Sequence, residues 1–413
     1  MVDQAEVIVV GAGQAGLAVS HELAGLGVPH LVLERGAVGQ TWRGRWDSFS
    51  LVLPNWTLQL PGGRYEGPDP DGFLPKESLV AYLERYAQSF AAPVSTGVEV
   101  NSLVPLEGGR GFALRTSGGD LEARSVVLAT GAYQRPHRPL GAETLGPPLQ
   151  VIDAEGYANP AALAPGKVLI VGSGQTGCQL AEEIHQAGRE TYLACGRTPW
   201  IPRRIDGRDT VSWLIDTGFF ETTLSELPSP QARLAGNPQA SGRDNGHDLH
   251  YRTLAAMGVQ LLGHFQGARD GRLHFAADLA DSVGFGDQRY NELCNRIRSY
   301  CDRTGEAHPE LPAPGPFQVE APDTLPLKGF GAVIFTSGFR PDYQRWVHLP
   351  GGFDELGFPV HEEGQSRVAP GLFFVGVHFL RKRKSSLFLG VGEDANLVAR
   401  GVADHLGRRV LTG

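Results

Sequence analysis

Glu6-Val7-Ile8-Val9-Val10-Gly11-Ala12-Gly13-Gln14-Ala15-Gly16 is the stretch that decides the fold. Its unbroken apolar run, Val7–Val10, predicts a short strand buried on both faces, the habit of a parallel sheet. Leu17 to Ala24 continues with helical composition and period, stopping around Gly25–Gly27, and His30–Leu33 predicts a second strand that ends in Glu34. A glycine turn in that setting is a dinucleotide-binding fingerprint, whereas G-x-G-x-x-G without the setting is a weak signal. Gly11 permits the tight turn, Gly13 lets the backbone approach a pyrophosphate, and Gly16 lets the helix pack closely on the strand. Gln14 and Ala15 open a helix whose free N–H groups and partial positive charge suit phosphate. Glu34 is placed to accept hydrogen bonds from a ribose, with Arg35 beside it.

The pattern returns at Gly166-Lys167-Val168-Leu169-Ile170-Val171-Gly172-Ser173-Gly174-Gln175-Thr176-Gly177, followed by a predicted helix from Cys178 to about Ala187 and a strand at Glu190–Ala194. Here the second strand runs into Ala194-Cys195-Gly196-Arg197 and carries no acid. A carboxylate at that point would repel a ribose 2′-phosphate, and an arginine would hold one. Arg203 and Arg204 are further candidates for that phosphate, and the alternative for Arg197 is a solvated surface position. The first unit therefore reads as a site for FAD and the second as a site for NADPH. A chain that binds two dinucleotides most plausibly moves a hydride between them.

Composition narrows the rest. The chain has 413 residues, 41% hydrophobic and 20% charged, and a formal net charge of −8. Its length allows two or three domains with sizeable cores, and its charge offers no footprint for nucleic acid. The apolar runs are too short to span a bilayer, and the acidic start leads straight into a strand, so neither a membrane nor a signal peptide is expected. Cys178, Cys195, Cys294 and Cys301 form no C-x-x-C, which argues against a dithiol relay and for reduced thiols in a cytoplasm. No metal-ligand spacing and no nucleophile elbow is present. The expected class is α/β, with two Rossmann-like units of sheet and helix layers.

Further segments resemble the flavin-containing (class B) monooxygenases and the wider two-dinucleotide flavoproteins. Ser125–Gly131 is a strand ending in Ala-Thr-Gly, which in such proteins marks the crossing from the FAD domain to the NADPH domain, here through Thr130 and Gly131. Val333–Pro341, with Ser337 and Gly338, is similar to the return crossing, and Gly390–Ala395, with Gly392 and Glu393, to the helix start that faces the flavin. Gly39-Gln40-Thr41-Trp42 resembles the Gly-Gly-x-Trp turn of the monooxygenases, and Asn55 falls near their flavin-side asparagine. Plant-type indole-pyruvate monooxygenases share much of this pattern. The resemblance implies an NADPH domain (151–327) inserted in an FAD domain (1–150 and 328–413).

It also implies a reaction. NADPH would reduce the flavin, a flavin C4a-peroxide would form with dioxygen, and a soft nitrogen or sulfur of a small-molecule substrate would take an oxygen atom, with Asn55 as the catalytic candidate. A homodimer is compatible with it. The monooxygenase fingerprint is incomplete, since Asp153 stands where a histidine is expected and the preceding Phe-x-Gly is missing. The longer Baeyer–Villiger pattern is absent too, which ranks heteroatom oxygenation above ring-oxygen insertion. Two alternatives stay open: an NADPH-dependent flavin reductase serving a quinone, metal or protein, and a redox sensor that binds cofactors without turnover. Residues 205–320 carry no motif and read as scaffold. Arg381-Lys382-Arg383-Lys384 reads as a solvated face or as a guide for phosphates.

Overall fold

A computed structural model describes residues 3–318 and 320–408. In chain order, the elements that position the site are β1 (Asp3–Val10), α1 (Gln14–Gly25), β2 (Leu31–Glu34), α2 (Lys76–Ser89), β3 (Val94–Thr96) and β4 (Gly119–Leu128). There follow β5 (Gln150–Asp153), β6 (Lys167–Val171), α3 (Gln175–Gln186), β7 (Thr191–Ala194), β8 (Gln260–Leu262) and α4 (Leu279–Thr304). The chain closes with β9 (Phe330–Phe335), β10 (Leu372–Phe374) and α5 (Val391–His405).

Two parallel sheets result. The first runs β3-β2-β1-β4-β10, with antiparallel strands added at its margins, and the second runs β5-β9-β6-β7-β8. Val7, Ile8 and Val9 are fully buried, as are Val168, Leu169 and Ile170 in the second sheet. Continuous apolar runs are what a strand covered on both faces requires. Each such side chain contributes about 1.5–3 kcal/mol by leaving water.

Register brings the strand ends level. Val10 pairs with Leu33 on one side and Leu128 on the other, and Val171 pairs with Ala194 and Phe335. In both sheets the strand order reverses at the strand that precedes the glycine turn, β1 and β6. Carboxyl ends at such a reversal leave a crevice between diverging loops, the place where open α/β sheets bind ligands.

Strand pairing corrects the expected break at 327/328. Phe330–Phe335 lies between β5 and β6 in the second sheet, so the return to the first sheet begins only after Phe335. The reason is physical: Phe-Gly-Ala-Val-Ile-Phe is buried throughout and finds its hydrogen-bonding partners in β5 and β6. The outgoing and returning chains then pair with each other, Arg135–Pro136 against Phe339–Arg340.

The stretch 205–320 contains the helix α4, whose buried face carries Val283, Tyr290, Leu293 and Ile297. The basic run is neither a solvated face nor a free guide for phosphate. Lys382 and Lys384 both pair with Glu221 and Glu393, Arg381 pairs with Asp394, and Arg383 lies over the rings of Phe219 and Phe379. Lys384 is only 8% exposed. Burying such charges is tolerable only when opposite charges meet them, and this cluster ties residues 219–221 to the start of α5. No helix among the described residues is long and apolar enough to cross a membrane.

Candidate active site

The two glycine turns share one steric pattern. A Cβ on Gly11 would meet Ala129 O at 2.7 Å, and one on Gly172 would meet the Thr336 carbonyl carbon at 2.8 Å. A Cβ on Gly16 would overlap Gly11 O, and one on Gly177 would overlap Gly172 O. These four are glycines because the protein's own backbone occupies the space. Gly13 and Gly174 differ: a Cβ there would meet nothing within 4 Å. Their φ values, −83° and −64°, suit any residue. Nothing among the described residues demands glycine at the middle position, and the open space lies over the N-termini of α1 and α3, where backbone N–H groups attract phosphate.

The predicted residues gather around these turns. Glu34 ends β2 with one oxygen accepting from Ala12 N at 2.8 Å and the other from Gly36 N at 2.9 Å. Those N–H donors stabilise a carboxylate that is only 7% exposed. Trp42 Nε1 donates to Gln14 Oε1 at 3.0 Å, and Gln14 Nε2 donates to Ser386 O. Gln40 Oε1 accepts from Ala37 N, while Thr41 and Arg35 are exposed. Thr130 and Gly131 follow β4, with Gln134 Nε2 donating to Thr130 Oγ1 and Gly131 O. Ser337 Oγ donates to Val171 O at 3.0 Å, beside the second turn, and Gly338 takes φ 84°. Arg197 is exposed past the end of β7 and forms no ion pair among the described residues.

Other predicted residues serve different partners. Glu393 is committed to Lys382 and Lys384. Arg203 does not join Arg197: it is 2% exposed, pairs with Asp209 at 2.6 Å and donates to Val52 O. Its desolvated guanidinium needs those acceptors, so it joins the two units internally. Arg204 donates to Gly246 O and Asn245 O. Gln175 Nε2 donates to Pro238 O. Asn55 is buried, with Nδ2 donating to Asp69 O at 2.9 Å and Oδ1 accepting from Leu74 N at 2.7 Å. It braces the loop 69–74. Asp153, at the position of the expected histidine, holds Arg138 through both oxygens at 2.8 and 2.9 Å.

That braced loop walls a cleft of about 570 Å³ between the two units. Asp47, Phe49, Asp69 and Phe73 line one side, and Arg243 and Asp244 the other. Beneath it, Glu182 on α3 takes a hydrogen bond from His247 at 2.7 Å, and burial pushes Glu183 above the usual carboxylate range. His378 follows β10, against the Tyr133 ring and 3.0 Å from Ser386 Oγ. Burial, with Arg233 adding to it, pulls its pKa down to about 4, so it is neutral near pH 7. Cys178 is wholly buried in the core.

Sequence reasoning passed over several residues. Thr336 Oγ1 donates to Gly172 O at 2.6 Å and so closes the second turn. Arg45, Tyr133, Glu182 and Glu183 belong to no motif. The run Trp42-Arg43-Gly44-Arg45-Trp46, with cations between aromatics, was the one signal available for Arg45.

Comparison with known proteins places this geometry. The family model described as "Pyridine nucleotide-disulphide oxidoreductase" matches residues 8–225, which include both glycine turns. An uncharacterized CzcO-like oxidoreductase of Geobacillus kaustophilus is 28% identical over 402 residues, 97% of this chain and 99% of its own length. Among solved structures, a flavin-containing monooxygenase from Stenotrophomonas maltophilia superposes with TM-score 0.66 at 19% identity, covering 98% of this chain and 99% of that one. The bacillithiol disulfide reductase Bdr of Staphylococcus aureus superposes with TM-score 0.63 at 13% identity, covering 97% and 99%. These two likenesses establish the two-dinucleotide flavoprotein fold. With more than half of its length matched by the family model, the chain belongs to the pyridine nucleotide-disulphide oxidoreductase family and is an oxidoreductase enzyme.

Proposed function

We propose that this enzyme holds FAD on the first glycine turn and NADPH on the second, and transfers oxygen from dioxygen to a soft nitrogen or sulfur of a small molecule. The observation that carries the reading is the asymmetry of two otherwise matching turns. A buried carboxylate, Glu34, stands at the end of β2, and an exposed Arg197 follows β7. A ribose diol asks for the first and a 2′-phosphate for the second. The open space over Gly13 and Gly174 fits a pyrophosphate pressed against each backbone.

When bound, FAD would supply the redox chemistry with NADPH and dioxygen. The chain's own residues bind, orient and exclude water. Each Glu34 oxygen already takes one N–H and keeps capacity for a ribose hydroxyl. Trp42 and Gln14 form a hydrogen-bonded wall beside the first turn. Neutral His378 and the Tyr133 ring pack against each other near the two crossings. Asn55 acts as a positioning residue, through the wall of the cleft that admits the substrate.

Anaerobic reduction by NADPH, followed by mixing with oxygen and a thioether, tests the reading. Sulfoxide formed in proportion to NADPH consumed is the expected result. Stoichiometric hydrogen peroxide without sulfoxide, from a panel of thioethers and amines, would move the assignment to an NADPH-dependent reductase. One observation favours that second reading: Asp153 occupies the place of the fingerprint histidine and is spent on Arg138.

A further inference from the structure

We infer that Arg45 is an oxyanion-recognition residue, held where the two units meet to bind a carboxylate or phosphate carried in by a small molecule. The inference rests on the proposed two-cofactor flavoenzyme and names a feature of what that enzyme binds. The Arg45 guanidinium carbon lies 5.8 Å from the Trp42 ring centre, 5.8 Å from Phe49 and 5.5 Å from Tyr133. Among the described residues its side chain has no hydrogen-bond acceptor, and Nε is buried without a partner. Glu155 is close enough to be felt, yet no ion pair joins the two.

Three other inward-facing arginines meet a carboxylate, whereas Arg383, over the rings of Phe219 and Phe379, shares the lack of one. Arg203 is paired with Asp209, Arg233 with Asp354, and Arg252 with both oxygens of Asp287. A buried guanidinium N–H without an acceptor is costly. The ring faces attract its charge, which offsets part of that cost. They offer no lone pairs for its N–H donors, so a fork suited to a planar oxyanion stays unsatisfied. Burial lowers the arginine's pKa from a starting point far above neutrality, so the group remains a cation.

Its surroundings say where the oxyanion enters. Phe49 lines the cleft between the units. Trp42 is bonded to Gln14 at the start of α1. Tyr133 lies just past Gly131 in one crossing, and its ring packs 5.1 Å from that of Phe339, just past Gly338 in the other. The three rings around Arg45 thus come from the cleft wall, the first turn and the link between units. Lys76 Nζ donates to Arg45 O at 3.2 Å and pins the backbone from which the side chain projects.

The test uses the FAD-loaded protein and a matched thioether pair, (methylthio)acetate and (methylthio)acetamide, with Arg45→Met and Arg45→Lys. Tryptophan fluorescence titration measures binding without turnover, and NADPH oxidation gives KM values. A substrate carboxylate as the partner predicts that Arg45→Met weakens the acid at least tenfold in both readouts, leaves the amide unchanged, and that Arg45→Lys falls between. A cofactor phosphate as the partner predicts instead that NADPH KM rises or FAD retention falls tenfold, with acid and amide alike. Unchanged acid binding, NADPH KM and FAD content in Arg45→Met would overturn the inference. So would an equal loss for every ligand accompanied by a lowered melting temperature, if Arg45→Lys restores none of it. Absence of sulfoxide from either thioether counts against the oxygenation reading alone, because the titration reads binding independently of it.

Discussion

The middle and last glycines of each turn should fail in opposite ways when replaced. Alanine at Gly13 or Gly174 meets no atom within 4 Å and sits at an ordinary backbone angle. Restricting the unfolded chain would stabilise such a variant by about 0.4–1 kcal/mol. Both positions cap a helix N-terminus, where alanine is worse than glycine by about 0.5–1 kcal/mol. The two effects offset, so the cofactor-free melting temperature should stay within about 2–4 °C of the parent. Alanine at Gly16 or Gly177 instead overlaps a backbone oxygen that cannot swing aside. Overpacking of that kind costs about 1–3 kcal/mol or more, a fall of several degrees. If phosphates press on the middle glycines, Gly13→Ala should retain at least about tenfold less FAD, about 1.4 kcal/mol of binding. Gly174→Ala should keep FAD and raise NADPH KM by a similar factor. Flavin-to-protein absorbance after purification, thermal melts of the stripped protein and NADPH kinetics measure all of this. Full FAD retention in Gly13→Ala with unchanged NADPH KM in Gly174→Ala would refute the reasoning, since the open space would then have no occupant.

Two further predictions follow from single side chains. Replacing exposed Arg197 by alanine removes a charged hydrogen bond to a 2′-phosphate, about 1.5–3 kcal/mol; NADPH KM should rise tenfold or more with NADH kinetics little changed, and equal effects on both would assign Arg197 to the surface. His247 has its pKa raised above 6.5 by the hydrogen bond to buried Glu182. A raised folded pKa means stability fully present below 6.5 and lost as pH climbs through the folded value. The parent's melting temperature should therefore decline over the range just above pH 6.5 relative to His247→Gln, and parallel curves would contradict it.

Both dinucleotide units were legible because their signals are local. Strand, turn and helix follow within one short segment, and an apolar run buried on two faces looks the same wherever it lies in a chain. The first and third glycines answer to neighbours in the same motif and the strand beside it. The contrast between Glu34 and Arg197 was legible for the same reason, since each sits at the end of a strand adjoining its turn. The break at 327/328 was not legible locally, because β9 completes the second sheet before the chain returns and its sequence does not say which sheet it joins.

What decided the remaining roles was tertiary. Arg203, Glu393 and Asn55 each carry chemistry suited to a ligand, and each is given partners by the protein itself. The partners are Asp209 and Val52 O for Arg203, Lys382 and Lys384 for Glu393, and the 69–74 backbone for Asn55. Arg381–Lys384 became an internal clamp because acids from residue 221 and from α5 fold onto it. Arg45 shows the reverse: Trp42 and Phe49 stand near it in sequence, but only folding adds the Tyr133 ring and withholds an acceptor. The sequence by itself determined two dinucleotide turns and their difference in charge, because backbone conformation and strand burial are set by adjacent residues. Only the tertiary structure decided which polar groups remain for a ligand, because a buried charge or amide is satisfied by whatever long-range packing brings to it.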